Sequence, residues 1–114
     1  DMPFYQHLAS VVAGPDWNRN DNCSLVVGAT APAELANVRK RVGTLPILIP
    51  GIGKQGGDLE ASIKAGCSAH GRGIIVNASR SILYASSEVD FAQAAGREAQ
   101  RLHDAINLHR SNLS

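Results

Sequence analysis

Two short segments of the chain carry residue types that can grip an anion. The first, Gly51-Ile52-Gly53-Lys54-Gln55-Gly56, is a glycine-rich run directly after an apolar stretch. With no side chains to block the approach, backbone N–H groups in such a turn can converge on a negative charge. The second, Asn77-Ala78-Ser79-Arg80-Ser81, also follows an apolar stretch. An arginine there can hold a phosphate bidentately, and the flanking serines add backbone or hydroxyl donors. Each segment also has a plainer reading: glycines that only make a tight turn, and a surface arginine paired with a local carboxylate.

The glycine run matches G-x-G-x-x-G literally, which raises a dinucleotide site as an alternative. The fingerprint asks for an acidic residue about 20 positions on, at the end of the next strand, and Asn77 stands there. The motif also normally occupies the first βα turn, not a later one. The remaining candidates for chemistry read as surface. None of His7, His70, His103 and His109 follows a strand, and His103-Asp104 are adjacent on a helix, where neighbours do not face each other. Cys23 and Cys67 lie far apart, with no Cys-x-x-Cys pair and no zinc-like histidine spacing. Two free thiols in a reducing compartment, no metal and a cytoplasmic protein are the expectation.

The elements that must position these loops follow from apolar runs and their punctuation. Phe4–Val12 reads as a helix with Phe4, Leu8, Val11 and Val12 on one side, ended by Gly14 and Pro15. A polar loop follows, in which Trp17 is expected to pin the loop to the core. Ser24–Gly28, Pro46–Pro50 and Gly73–Asn77 are short, continuous apolar runs that predict buried strands. Between them, Pro32 opens a helix with the stripe Leu35, Val38, Val42, and Asp58 caps another carrying Leu59 and Ile63. Residues 78–86 predict a loop with at most a turn of helix. A capping-box-like Ser87…Asp90 pair predicts a last helix over about 88–110, with Phe91, Ala95, Ala99, Leu102 and Ile106 inward and Glu98, Arg101 and Asp104 toward water. The order αβαβαβα implies a parallel sheet with helical crossovers, and strands without alternation imply helices on both faces. In a parallel sheet both candidate loops lie at one end, on adjacent strands.

Bulk properties bound the rest. The chain has 114 residues, 44% of them hydrophobic but only 4% aromatic, so one domain with an aliphatic core is expected over residues 1–114. A net charge of +1 gives no footing for nucleic acid. The one basic run, Arg39-Lys40-Arg41, reads as a solvated helix face. No apolar run approaches the roughly 20 residues of a membrane span. Asp1 and Met2 lead directly into a helix, so the start is expected to be a cut rather than a natural N-terminus. Three βα units cannot close a (β/α)8 barrel, which takes about 250 residues. An open doubly wound sheet and part of such a barrel therefore both fit.

Three segments, in order, carry a resemblance: Leu25-Val-Val-Gly-Ala-Thr-Ala-Pro-Ala-Glu-Leu35, Leu48-Ile-Pro-Gly-Ile-Gly-Lys-Gln-Gly-Gly-Asp58 and Val76-Asn-Ala-Ser-Arg-Ser-Ile-Leu-Tyr-Ala85. Together they resemble the C-terminal portion of orotidine 5'-phosphate decarboxylase, in its branch with longer chains. Phe4-Tyr5-Gln6-His7 is similar to the helix before that family's sixth strand. The resemblance implies α/β architecture as part of a (β/α)8 TIM barrel, with about strands six to eight and their helices present. It implies that Gln55 reaches the substrate phosphate and the pyrimidine edge, and that Arg80 pairs with the phosphate. Backbone amides near Gly53, Gly56 and Ser79 would assist, and Pro50 would form part of the apolar wall beside the base. Lys54 departs from the small residue expected before Gln55. The family's catalytic lysine–aspartate array, with its Asp-x-Lys-x-x-Asp segment, belongs to earlier strands and is absent here. The implied parent converts orotidine 5'-phosphate to UMP and CO2 without metal or organic cofactor. The implied partners are the N-terminal half of the barrel and a second copy in a homodimer. Two rival readings remain: a free-standing module that captures a phosphorylated ligand without chemistry, and an NAD-type dinucleotide-binding domain.

Overall fold

The computed structural model describes residues 1–53 and 58–113. Gln55 and Gly56, two of the expected ligand residues, fall with Lys54 outside the described residues. The elements run α1 (Phe4–Ala13), β1 (Leu25–Val26), α2 (Pro32–Val42), β2 (Ile47–Ile49), α3 (Leu59–Gly66), β3 (Ile74–Val76), α4 (Arg80–Leu83) and α5 (Phe91–Ser111). The strands are parallel and pair in sequence order, β1-β2-β3, with Val26, Leu48 and Ile75 in one row. Beyond the strand ends the ladder continues, as Val27 N–H donates to the Leu48 carbonyl and Ala29 N–H to that of Pro50, both at 2.9 Å.

The local signals act as read. Pro32 opens α2 with Glu34 in its first turn, where the missing proline N–H costs nothing and the carboxylate meets the positive dipole end. Asp58 caps α3 by accepting from Ala61 N–H at 3.1 Å. Residues 80–83 form the single helical turn that the loop after β3 allowed for.

The core lies on one side of the sheet only. Ile47 and Ile49 are fully buried among Ala9 of α1, Leu35, Val38 and Val42 of α2, and Leu102 of α5. Helix α3 joins this side through Gly66, where an added Cβ would stand 2.8 Å from Ile49 Cδ1. Only glycine lets α3 approach the sheet so closely. On the opposite side Val26 is 68% and Ile75 56% exposed, with Leu48 half-buried between them. The expectation of helices on both faces is therefore corrected. All four long helices lie on one face, and the apolar strands owe their composition to a second face that this chain leaves bare. Sequential strand order with helices on one side is the pattern of a (β/α) barrel wall. A doubly wound sheet instead reverses its strand order at a switch point.

Four further readings are corrected. The buried side of α1 is Tyr5, Ala9 and Ala13, while Phe4 and Leu8 point outward, because small residues rather than large ones allow close approach to α2. Trp17 is 62% exposed. Its loop is held by Asn18 Oδ1, which accepts from Cys23 N–H at 2.9 Å, and not by the indole. Helix α5 starts at Phe91, which is exposed, because Ser86 and not Ser87 bonds Asp90 (2.6 Å) and closes a turn ahead of the helix. Its inward stripe is centred on Ala94 and Leu102, with Ala99 exposed. Arg39 is no solvated residue. It is 8% exposed and donates to the carbonyls of Gly66 (2.6 Å), Gly43 (2.8 Å), Leu45 (2.7 Å) and Gly73 (2.8 Å). Its position shares the helical face of Leu35 and Val38, so burial follows from the period of 3.6.

Candidate functional site

The C-terminal ends of β2 and β3 are neighbours, and the loops leaving them meet. Gly51 and Gly53 both have φ of 90°, a region closed to most side chains, so the glycines are required by the path of the turn. A methyl placed on Gly53 would lie 3.7 Å from Oγ of Ser81, which puts the two loops in near contact. Between them is a small cleft of about 50 Å³ lined by Pro50, Gly51, Ile52, Asn77, Ala78, Ser79, Arg80 and Ser81. The sequence-read residues Pro50, Ser79 and Arg80 thus share one cleft, and Gly53 sits against Ser81 at its edge.

Within the cleft the donors are arranged around α4. Ser79 precedes the helix, and its carbonyl accepts from Ile82 N–H (3.2 Å) and Leu83 N–H (2.8 Å). The amides that open a helix have no acceptor inside it and point out past its N-terminus. Arg80 is exposed, and among the described residues no carboxylate or carbonyl accepts from its guanidinium. The plainer reading of a surface arginine tied to a local carboxylate therefore has no support there. Chemically, the cleft offers a planar guanidinium, a hydroxyl and turn amides to a small oxyanion. Among the described residues it offers no nucleophile–base pair. No group of histidine, cysteine and carboxylate residues that could hold a metal occurs among the described residues.

The histidines and cysteines do not line the cleft. His7, His70 and His103 are exposed and His109 is partly so. The His103–Asp104 pair is corrected: the neighbours do meet, Nδ1 to Oδ1 at 3.2 Å. Both are solvated, and the contact, with help from Gln100, holds the Asp104 carboxyl below its usual range. Cys23 and Cys67 are free thiols. No helix among the described residues is long and apolar enough to cross a membrane.

No family model matches the chain. Against curated proteins it is 56% identical over 107 residues to orotidine 5'-phosphate decarboxylase of Janthinobacterium sp. (strain Marseille), covering 94% of this chain. It is 54% identical over 111 residues to that of Bordetella pertussis. The chain matches a C-terminal portion of orotidine 5'-phosphate decarboxylases. It spans only 39% and 40% of the length of those two relatives. Among solved structures, the orotidine 5'-phosphate decarboxylase of Leishmania donovani superposes with a TM-score of 0.80 at 42% identity, over 96% of this chain and 40% of that one. The UMP synthase of the same organism gives 0.81 at 43%, over 96% of this chain and 23% of its own length. The three-stranded parallel wall is thus a piece of the fold those decarboxylases share.

Of the α5 residues expected to face water, Arg101 and Asp104 are exposed, and Glu98 departs from the expectation. Glu98 of α5 has a side chain only 23% exposed and is paired with Arg101. Both line a cavity of about 140 Å³ together with Ile52, Gly53, Ala78 and Ser81. The signal was present in the sequence, since Glu98 lies four residues from both Ala94 and Leu102, the buried positions of α5.

Proposed function

We propose that this chain is the phosphate-gripping part of an orotidine 5'-phosphate decarboxylase, an enzyme that converts orotidine 5'-phosphate to UMP and CO2 in pyrimidine biosynthesis. The observation that carries the reading is the cleft between the loops after β2 and β3, with an exposed arginine at its mouth. In this reading β1, β2 and β3 are the sixth, seventh and eighth strands of a (β/α)8 barrel, where the last two loops commonly form a phosphate site. Arg80 pairs with the 5'-phosphate. Gln55 bridges phosphate and pyrimidine, amides near Gly53, Gly56 and Ser79 complete the grip, and Pro50 walls the base. Binding energy from this remote group orients the substrate for chemistry done elsewhere. That chemistry, electrostatic stabilisation of a developing carbanion by a lysine–aspartate array, resides in the part of the parent that this chain lacks.

The missing part has a place to dock. The row of exposed Val26, half-buried Leu48 and exposed Ile75 faces what would be the barrel interior. At the free edge of β1 a groove of about 280 Å³ runs along Leu25–Gly28, and at the free edge of β3 another of about 480 Å³ runs past Ile74 and Val76. Neighbouring strands would fill both. We take the assembled protein to be a homodimer. The test is to express the chain alone and joined to the N-terminal segment of a curated relative. The joined protein should turn over orotidine 5'-phosphate. The chain alone should show no turnover and should self-associate through its open edges. Turnover by the chain alone, or a monomeric, cooperatively melting chain, counts against the barrel reading and favours a self-sufficient binding module.

A further inference from the structure

One step beyond the row of Val26, Leu48 and Ile75, the strands place a second row on the same bare face. Side chains alternate along a strand, so two residues on from those three come Gly28, Pro50 and Asn77. The ladder holds that far. Ala29 N–H donates to the Pro50 carbonyl at 2.9 Å, and Asn77 N–H to that of Ile49 at 3.3 Å. Asn77 is thus the polar member of the row, at the C-terminal end of β3. It is exposed, and among the described residues no partner holds its carboxamide. Solvent satisfies such a group on an open sheet. Inside a closed barrel an unpaired carboxamide is unfavourable, so the side chain needs a partner there that this chain does not supply.

Asn77 also lines the cleft of Arg80. Ser79, Arg80 and Ser81 reach that cleft from α4 and its approach, whereas Asn77 reaches it from the sheet. All four side chains can donate a hydrogen bond, and none is a carboxylate. A phosphate presents several oxygens that only accept, and one guanidinium covers two of them at most. Resting on the phosphate reading above, the geometry points to Asn77 as a further ligand-binding residue, whose Nδ2–H donates to a phosphate oxygen from the barrel-interior side. The anion is then held from two directions, by a guanidinium on α4 and by an amide at the end of β3. Pro50, beside Asn77 in the row, continues the same surface toward the base.

The assay uses the complete barrel and compares binding of UMP with binding of uridine, which lacks the phosphate. Asn77→Ala should raise the Kd for UMP by roughly three- to tenfold, the scale of one amide hydrogen bond. Its Kd for uridine should not move. Asn77→Asp keeps the shape but sets a carboxylate against the dianion. It should raise the Kd for UMP by roughly a further tenfold at low salt and by less at high salt, again with uridine unmoved. If Asn77→Ala binds UMP as the parent does, or loses UMP and uridine equally, the inference is overturned. It is also overturned if Asn77→Asp keeps the parent's affinity for UMP, as an amide accepting from a ribose hydroxyl would allow. Should Asn77→Ala fail to fold, Asn77→Asp alone still decides through its salt-dependent loss of UMP. Arg80→Ala separates the two levels. If it weakens UMP and uridine alike, the phosphate reading fails and takes this inference with it. If it weakens UMP selectively while the Asn77 variants spare it, only this inference fails.

Discussion

Each end of the sheet presents an arginine, and their surroundings are opposite. At the end where β2 and β3 begin, Arg39 is buried and donates to four main-chain carbonyls drawn from two helix ends and two strand entries. At the end where the same strands finish, Arg80 is exposed beside a small cleft. The same side chain, with five donors in a fixed fork, serves as a fastener where the protein saturates it and, on the reading proposed above, as a phosphate-binding group where solvent surrounds it. On that reading stability and recognition fall to opposite ends of three short strands, as they do in barrels whose loops carry function at one face.

The sharpest way to break this contrast is to remove each arginine in the complete barrel. Arg39→Ala should lower unfolding stability by about 3–5 kcal/mol, because a buried carbonyl left without its donor costs about 1–3 kcal/mol. Urea titration measures it, and Arg39→Lys should recover little, since an ammonium cannot span four acceptors. At temperatures where the variant stays folded, kcat/KM should be near that of the parent. A loss of kcat/KM with stability intact would erase the division between the two ends.

Arg80→Ala should behave in the reverse manner. Its Tm should not change, while kcat/KM on phosphorylated substrate should fall by about 1.5–3 kcal/mol, the range for a charge-assisted hydrogen bond. Gln55→Ala, which on the proposed reading removes a neutral amide contact, should cost about 0.5–1.5 kcal/mol. Neither loss should appear with a substrate lacking the phosphate. Equal losses on both substrates for Arg80→Ala would make that arginine structural too.

A smaller effect belongs to Cys67, the buried thiol at the end of α3 beside Arg39. Burial pushes its pKa up, with Arg110 and Arg39 pulling it partly back. The folded state therefore favours the neutral thiol. This contribution to stability is complete below the unfolded thiol's pKa of about 8.5 and is lost as pH rises through the higher folded value. The urea midpoint should slip above pH about 9, and Cys67→Ala should remove that slope. An unchanged slope in the variant would leave the thiol without a part in the fastened end.

The order of elements was legible because each strand is an apolar run bounded by glycine or proline, and each helix carries a start signal such as Pro32 or Asp58. The candidate cleft was legible for the same reason: Arg80 and the glycine run stand immediately after strands, and parallel pairing brings them to one end. What escaped was side-chain direction. A charged run conceals Arg39 although its position lies on the stripe of Leu35 and Val38, and the buried side of α1 follows small residues, which carry little hydrophobic signal. Glu98 was lost in the same way, as a charge sitting between two inward positions of α5. Apolar strands announce two covered faces, and no sequence rule says that one of the covers belongs to a different stretch of chain.

The exposed Trp17 has an experimental consequence. It is the chain's single tryptophan, and it reports on a solvent-washed loop instead of the Ile47–Ile49 core. Of the light emitted by this segment as it unfolds, most will describe the wetting of that loop. Fluorescence and circular dichroism midpoints will separate whenever the loop loosens before the helices do. Such a separation is the usual sign of a populated intermediate, and here it would arise from the placement of one indole.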